Sequence, residues 1–151
     1  KQLILEGKTS QNLDKLHLLA SLLRGHFPTI ITELPEAILP VPLHPKRLRQ
    51  RGFNQSVELV RPLAKQLGIP LLLTQVARQR HTDEQKKLAA AERQHNLEQA
   101  FRLTRPILYK HIAIFDDVVT TGATCAELEA LLIDQGIEKV QIWCCAQTKM
   151  T

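Results

Sequence analysis

The stretch from Ile112 to Thr124 reads IAIFDDVVTTGAT. Its apolar start, Ile112 to Phe115, predicts a buried strand. Two adjacent carboxylates, Asp116 and Asp117, stand at the carboxyl end of that strand. A loop of small hydroxyl residues and glycine follows, Thr120-Thr121-Gly122-Ala123-Thr124, and opens a helix. Open α/β sheets bind their ligands at this edge. A helix start offers unpaired N–H groups and the positive end of the dipole, an anion site. Between Ile112 and Gln135 there is no Lys or Arg, so a phosphate here is held by amides and by the hydroxyls of Thr120, Thr121 and Thr124. Ionised carboxylates only accept hydrogen bonds, which suits Asp116 and Asp117 to the vicinal hydroxyls of a sugar. Either half alone also reads as a polar strand end or an ordinary helix cap. In this order they describe a cradle for a ribose 5-phosphate.

Working outward, strands alternate with helical patterns. Ala37 to Val41 is an apolar run bounded by prolines and predicts a strand, followed by a loop from Pro42 to Gly52. Asn54 or Ser56 caps a helix with Leu59, Val60, Leu63, Ala64 and Leu67 on its apolar face, interrupted by a kink or boundary at Pro62 and stopped by Gly68. Leu71 to Val76 predicts another strand, and Arg78 to Gln99 a polar loop with a helix near Gln85 to Gln94. After the central motif, Cys125, Leu128, Leu131 and Leu132 share a helix face that ends at Gly136. Val140 to Cys145 is a last strand. At the N-terminus, Lys1 to Leu5 reads as a short strand, and a helix capped by Ser10 or Asn12 runs to near Gly25. The class is α/β with a mostly parallel sheet flanked by helices.

The chain has 151 residues, 44% hydrophobic and 23% charged, which fits one compact globular domain. No apolar run approaches the roughly 20 residues of a membrane-spanning helix, so no membrane insertion is expected. The net charge of +5 is unevenly laid out. From Ala37 to Val57 there is no acid, but Lys46, Arg47, Arg49 and Arg51 are present. From Ile112 to Gln135, Asp116, Asp117, Glu127, Glu129 and Asp134 stand without a base. A uniformly basic nucleic-acid binder would not segregate its charge this way. The cysteines, Cys125, Cys144 and Cys145, lack zinc-ligand spacing and read as reduced thiols of a cytoplasmic protein.

The cationic loop, PLHPKRLRQRGFNQ from Pro42 to Gln55, directly follows a strand end. Arginine suits bidentate phosphate contacts and lysine supplies a mobile charge. Such partners serve a diphosphate leaving group, on which charge accumulates as its bond breaks. A solvated basic loop or a nucleic-acid patch would look alike here.

With these residues in view, Ile112–Thr124 resembles the phosphoribosyl diphosphate (PRPP) signature of type I phosphoribosyltransferases: an apolar strand, two acids, two variable residues, then Thr/Ser-x-Gly-x-Thr/Ser. The wider pattern is similar to the ComF/GntX family of competence-associated phosphoribosyltransferase-like proteins. It is carried by PVPLHPKRLRQRGFNQS, by Arg78, Arg80, Thr82, Gln85, Glu92, Arg93, Asn96, Leu97, Ala100 and Phe101, and by the central motif. The resemblance runs from about Lys1 to Thr148. Family members usually begin with a four-cysteine zinc ribbon, which this chain lacks. It therefore reads as the C-terminal domain of a longer protein, with zinc confined to that missing N-terminal module.

The resemblance implies a type I phosphoribosyltransferase core over residues 34–151 and a small N-terminal hood over residues 1–33. It implies ribose contacts from Asp116 and Asp117, with Asp117 also stabilising positive charge, and a PRPP loop of Thr120, Thr121, Gly122, Ala123 and Thr124. It further implies a diphosphate loop with His44, Lys46 and Arg47, and a flexible closing loop with Arg78, Arg80, Thr82, Gln85 and Arg93. Magnesium would arrive with PRPP, without direct protein ligands. Implied partners are PRPP, single-stranded DNA, and a competence helicase or other DNA-processing protein. The function so implied is a PRPP-binding protein handling single-stranded DNA during natural transformation. An active transferase with a base or amine acceptor, and a non-catalytic docking module, remain alternatives. No residue stands out as a general base. Trp143 reads as core; Phe53 and Phe101, which flank basic segments, are the better aromatic candidates for stacking, with packing as the first reading of both.

Overall fold

The computed structural model describes residues 2–79 and 99–148, with residues 2–12 described by their backbone. In chain order the elements are α1 (Gln2–Ile30), β1 (Ala37–Pro40), α2 (Pro45–Arg51), α3 (Gln55–Leu67), β2 (Val76–Arg78), β3 (Phe101–Leu103), β4 (His111–Val119), α4 (Ala123–Asp134) and β5 (Lys139–Gln147). Strands β1, β4 and β5 form a parallel sheet in the order β1-β4-β5, and β2 pairs antiparallel with β3 in a separate ribbon.

Strand alternation sends neighbouring side chains to opposite faces, and both faces are covered. Ile38, Ala113, Phe115 and Trp143 point to a core shared with α1 and α3, through Leu16, Ala20, Leu23 and Phe27 and through Leu59, Val60, Leu63 and Ala64. Ala37, Leu39, Ile112 and Ile114 point the other way, toward Cys125, Leu128 and Leu132 of α4 and toward Val76 and Phe101 of the ribbon. Burial on both faces is why β1 and the start of β4 read as unbroken apolar runs. Trp143 is core, as its sequence context predicts. It is buried edge-on to Phe27 with ring centroids 5.3 Å apart. Phe101 is buried as well, and Phe53 packs half-buried against the α3 core, so neither offers a stacking platform.

The amino ends of the strands are tied by polar contacts. Glu36 accepts hydrogen bonds from the backbone N–H groups of Lys110 (2.6 Å) and His111 (2.9 Å), which holds its carboxyl below the usual range. Glu33 pairs with Lys139 and with His111. Among the described residues no helix is long and apolar enough to cross a membrane.

Four local expectations are corrected. Residues 2–5 belong to α1, which runs through Gly25 to Ile30. No described strand lies beside them, so helical i→i−4 bonds are what satisfies their backbone. Pro62 marks no boundary, and α3 is continuous through it. Of the stretch 71–76, Leu71 makes a single parallel bridge to Ile38, and the strand begins at Val76. The cationic segment is not all loop: Pro45–Arg51 is a helix, entered at Pro45 and closed by Gly52 at φ 82°.

Leu128 is fully buried against the sheet. Leu128→Ala is expected to lower unfolding free energy by about 2–5 kcal/mol, read from urea denaturation. A loss below about 1 kcal/mol would contradict this packing.

Candidate functional site

The chain leaves β1 and β4 on the same sheet edge. Pro40 lies opposite Phe115, and the Val41 N–H donates to the Phe115 carbonyl (2.8 Å). From that point β1 feeds the cationic segment and β4 the acidic one. Between them opens a cleft of about 410 Å³, lined by Leu43, Arg47 and Arg51, by Asn54 to Ser56, and by Arg78, Asp116, Asp117, Thr120 and Thr124.

One wall is the turn into α4. Gly122 sits at φ 78° before the helix, a left-handed conformation that side-chain-bearing residues adopt at a cost. The Thr121 hydroxyl accepts from the Ala123 N–H (3.3 Å), while Gly122, at the cap position, has no side chain to cap the helix. Residues 118–125 surround a small hollow of about 50 Å³ at this helix start. It is a cation-free site with a positive dipole end, suited to one phosphate.

The floor is the acidic pair. The Asp117 N–H donates to Asp116 Oδ1 (2.9 Å) and the Val118 N–H to Asp117 Oδ1 (2.9 Å). Burial, reinforced by the neighbouring Asp117, pushes the Asp116 carboxyl up to about 6, against a weaker pull from Arg78. Two carboxylates side by side in a half-buried cleft resist ionising together. Hydroxyl donors from a bound diol would relieve that tension.

The opposite wall is cationic. Arg78 extends from β2, directly across from Phe101 in the ribbon, and its guanidinium carbon lies 5.3 Å from the Phe101 ring centre. Burial, and then the nearby positive charge of Arg47, hold the Arg78 guanidinium below its usual value. Its Nε is buried and has no hydrogen-bond partner among the described residues. Two guanidinium groups held near each other, one of them partly desolvated, favour a multiply charged anion between them.

The cleft thus unites Asp116, Asp117, Thr120, Thr124 and Arg47, and the adjoining hollow adds Thr121, Gly122 and Ala123. Arg78, expected in a mobile loop, stands in strand β2 at the cleft. Arg80, Thr82, Gln85 and Arg93 lie outside the described residues. His44 and Lys46 occupy the start of α2 instead of lining the cleft; His44 caps the helix, its Nδ1 accepting from the Lys46 N–H (3.2 Å). Asn54, Gln55 and Ser56 also line the cleft, and nothing in the RGFNQS string by itself marks them for a site role. Among the described residues no group of three His, Cys, Asp or Glu side chains could hold a metal ion. The thiols lie near the acidic pair, and burial raises Cys125 to about 11 and Cys145 to about 12.

The fold is that of the type I phosphoribosyltransferases. Two solved structures share it over 84% of this chain: the allosteric regulatory enzyme of purine biosynthesis (TM-score 0.57, 16% identity) and the glutamine PRPP amidotransferase from B. subtilis (TM-score 0.55, 16% identity), each covered over 25% of its length. Within that class, the chain is homologous to proteins named for DNA utilization and competence. It is 46% identical over 116 residues to DNA utilization protein YhgH of Salmonella typhimurium, and 45% over 116 residues to that of Escherichia coli K12. It is 43% identical over 114 residues to Competence protein F of Haemophilus influenzae. These alignments cover 77%, 77% and 74% of this chain, which spans about half the length of the curated relatives it matches. No family model matches the chain.

The pH dependence of stability follows from Asp116. Its folded value, about 6, lies above the ordinary 3.8. The folded state therefore binds the proton more tightly, and stability falls as pH rises from about 4 through 6. Asp116→Asn keeps the oxygen that accepts from Asp117 N–H and removes the charge. It is expected to raise the melting temperature at pH 7.5 and to change it little at pH 4. A variant equally or less stable than the parent at pH 7.5 would refute the assignment.

Proposed function

We propose that this chain is a PRPP-binding domain of a competence-type DNA-utilization protein. The observation that carries the reading is the polarity of the cleft. A cation-free helix start and a carboxylate pair face Arg47, Arg51 and Arg78 across one space. PRPP presents matching parts in the same order: a 5-phosphate, a ribose diol and a diphosphate. The α4 turn takes the 5-phosphate through backbone N–H groups and threonine hydroxyls. Asp116 and Asp117 accept from the ribose hydroxyls. Arg47 and Arg78 bind the diphosphate, with Arg51 beside them.

The oxygen-rich donor set fits magnesium brought in by the diphosphate, because that ion favours oxygen ligands and keeps much of its water. Bound there, it would neutralise diphosphate charge. If an acceptor is present, its nucleophilic atom forms a bond to ribose C1 as the C1–O bond to diphosphate breaks. The bonding pair leaves with the diphosphate, and the acceptor's proton passes to solvent. The arginines stabilise the departing charge, and Asp117 the positive charge on the ribose. Diphosphate release in the presence of a base or amine would mark the chain as a working transferase.

Calorimetry with magnesium and PRPP tests the reading. Micromolar to millimolar binding is expected, and no heat of binding under these conditions refutes it. Arg47→Ala and Arg78→Ala should each weaken PRPP by roughly 10- to 100-fold, the range for a lost charged hydrogen bond, with ribose 5-phosphate affinity retained.

The relatives' names motivate a role in DNA handling, and one surface favours it. Helix α2 is solvent-facing, and Lys46 and Arg49 are exposed on it outside the cleft lining. They suit the phosphates of single-stranded DNA. A cytoplasmic location with reduced thiols goes with this role. Contacts of this kind release about 0.7 counterion per phosphate. Lys46→Ala/Arg49→Ala should therefore flatten the salt dependence of oligonucleotide binding by about 1.4 in log–log slope. An unchanged slope would exclude this face as the contact.

A further inference from the structure

We propose that Asn54 is a positioning residue that sets the separation between the diphosphate-facing arginines and the ribose-facing carboxylates. This rests on the PRPP reading of the cleft. The segment 42–53, which carries Leu43, Arg47 and Arg51 into the cleft, leaves β1 at Val41 and returns to α3 at Asn54. Asn54 closes that excursion at its base. Its Nδ2 donates to the Val41 carbonyl (3.0 Å), and its Oδ1 accepts from the Ser56 N–H (3.0 Å).

Val41 is also the link to the acidic wall. Its N–H donates to the carbonyl of Phe115, the residue before Asp116. A chain of hydrogen bonds thus runs from the start of α3, through Asn54 and Val41, to the backbone that bears the carboxylates. On the far side Arg51 Nη1 donates to Gln55 Oε1 (2.9 Å), tying the last turn of α2 to the residue after Asn54. Between them Gly52 turns the chain in the left-handed region. The amino end of the cationic segment is thus bonded to the Asn54 side chain, and its carboxyl end to the side chain of the next residue, Gln55.

The amide is the chemistry this position needs. It offers a donor and an acceptor at once on a short stem. An aspartate keeps the acceptor for Ser56 but presents oxygen to the Val41 carbonyl. A serine can still cap α3 but is too short to bridge to β1. Either change leaves the α4 turn and the acidic pair in place while freeing the cationic segment to move relative to them. A ligand that spans both walls then loses affinity. A ligand held by the acidic wall alone does not.

The test uses the whole chain with Asn54→Asp and Asn54→Ser. Calorimetry reads PRPP with magnesium beside ribose 5-phosphate. PRPP is expected to weaken about tenfold or more in both variants, and ribose 5-phosphate to stay within about twofold. Equal weakening of the two ligands, or none, overturns the positioning role. A wild-type chain that binds ribose 5-phosphate but no PRPP refutes the PRPP reading instead. Amide hydrogen exchange is independent of ligand. Amides of residues 47–52 should exchange faster in Asn54→Asp, with those of β4 and α4 unchanged. Unchanged exchange in 47–52, or faster exchange throughout, counts against the proposal whatever the ligands do.

Discussion

Ile38, Leu39 and Pro40 run beside Ala113, Ile114 and Phe115 in parallel register, buried on both faces, so the chain emerges from both strands at one edge. Parallel strands cannot be joined by a tight turn. The excursions that follow them are consequently free to carry different chemistry. Here one excursion is cationic and the other has no base at all. The cleft exists because the register brings those two segments together, and the core of α1, α3 and α4 exists to keep that register.

The opposed walls carry an electrostatic cost before any ligand arrives. Asp116 is partly desolvated next to Asp117, while Arg78 is desolvated near Arg47. Each pair repels internally and attracts the other only weakly across the open space. Strain of this kind is retained where a ligand supplies the missing partners. A sugar with two hydroxyls and a diphosphate supplies both. Phe101 matters here as a buried platform that fixes one arginine, not as a stacking surface for bases.

Much of the site was legible because its chemistry is local. IAIFDDVVTTGAT holds strand, acids and helix start in thirteen consecutive residues, and each forms through short-range backbone geometry. Helix α2 is hidden in the sequence for the converse reason. Its seven residues, PKRLRQR, bury nothing, so no apolar period betrays them, and only its caps at His44, Pro45 and Gly52 give it away. Arg78 reads as loop in the sequence because a three-residue strand leaves little pattern. Its place depends on Phe101, twenty-three positions further on.

By itself the sequence determined the α/β class, the apolar strands, the acidic pair and the glycine turn, because these follow from periodicity and local conformation. Only the tertiary structure decided which cations face the acids. Arg47 and Arg51 reach the cleft while Lys46 and His44 do not, and Arg78 joins them from the ribbon. That selection depends on the rotation of α2 and on the closure that Asn54 makes with Val41. Both are long-range contacts, and charge spacing along a chain carries no record of them.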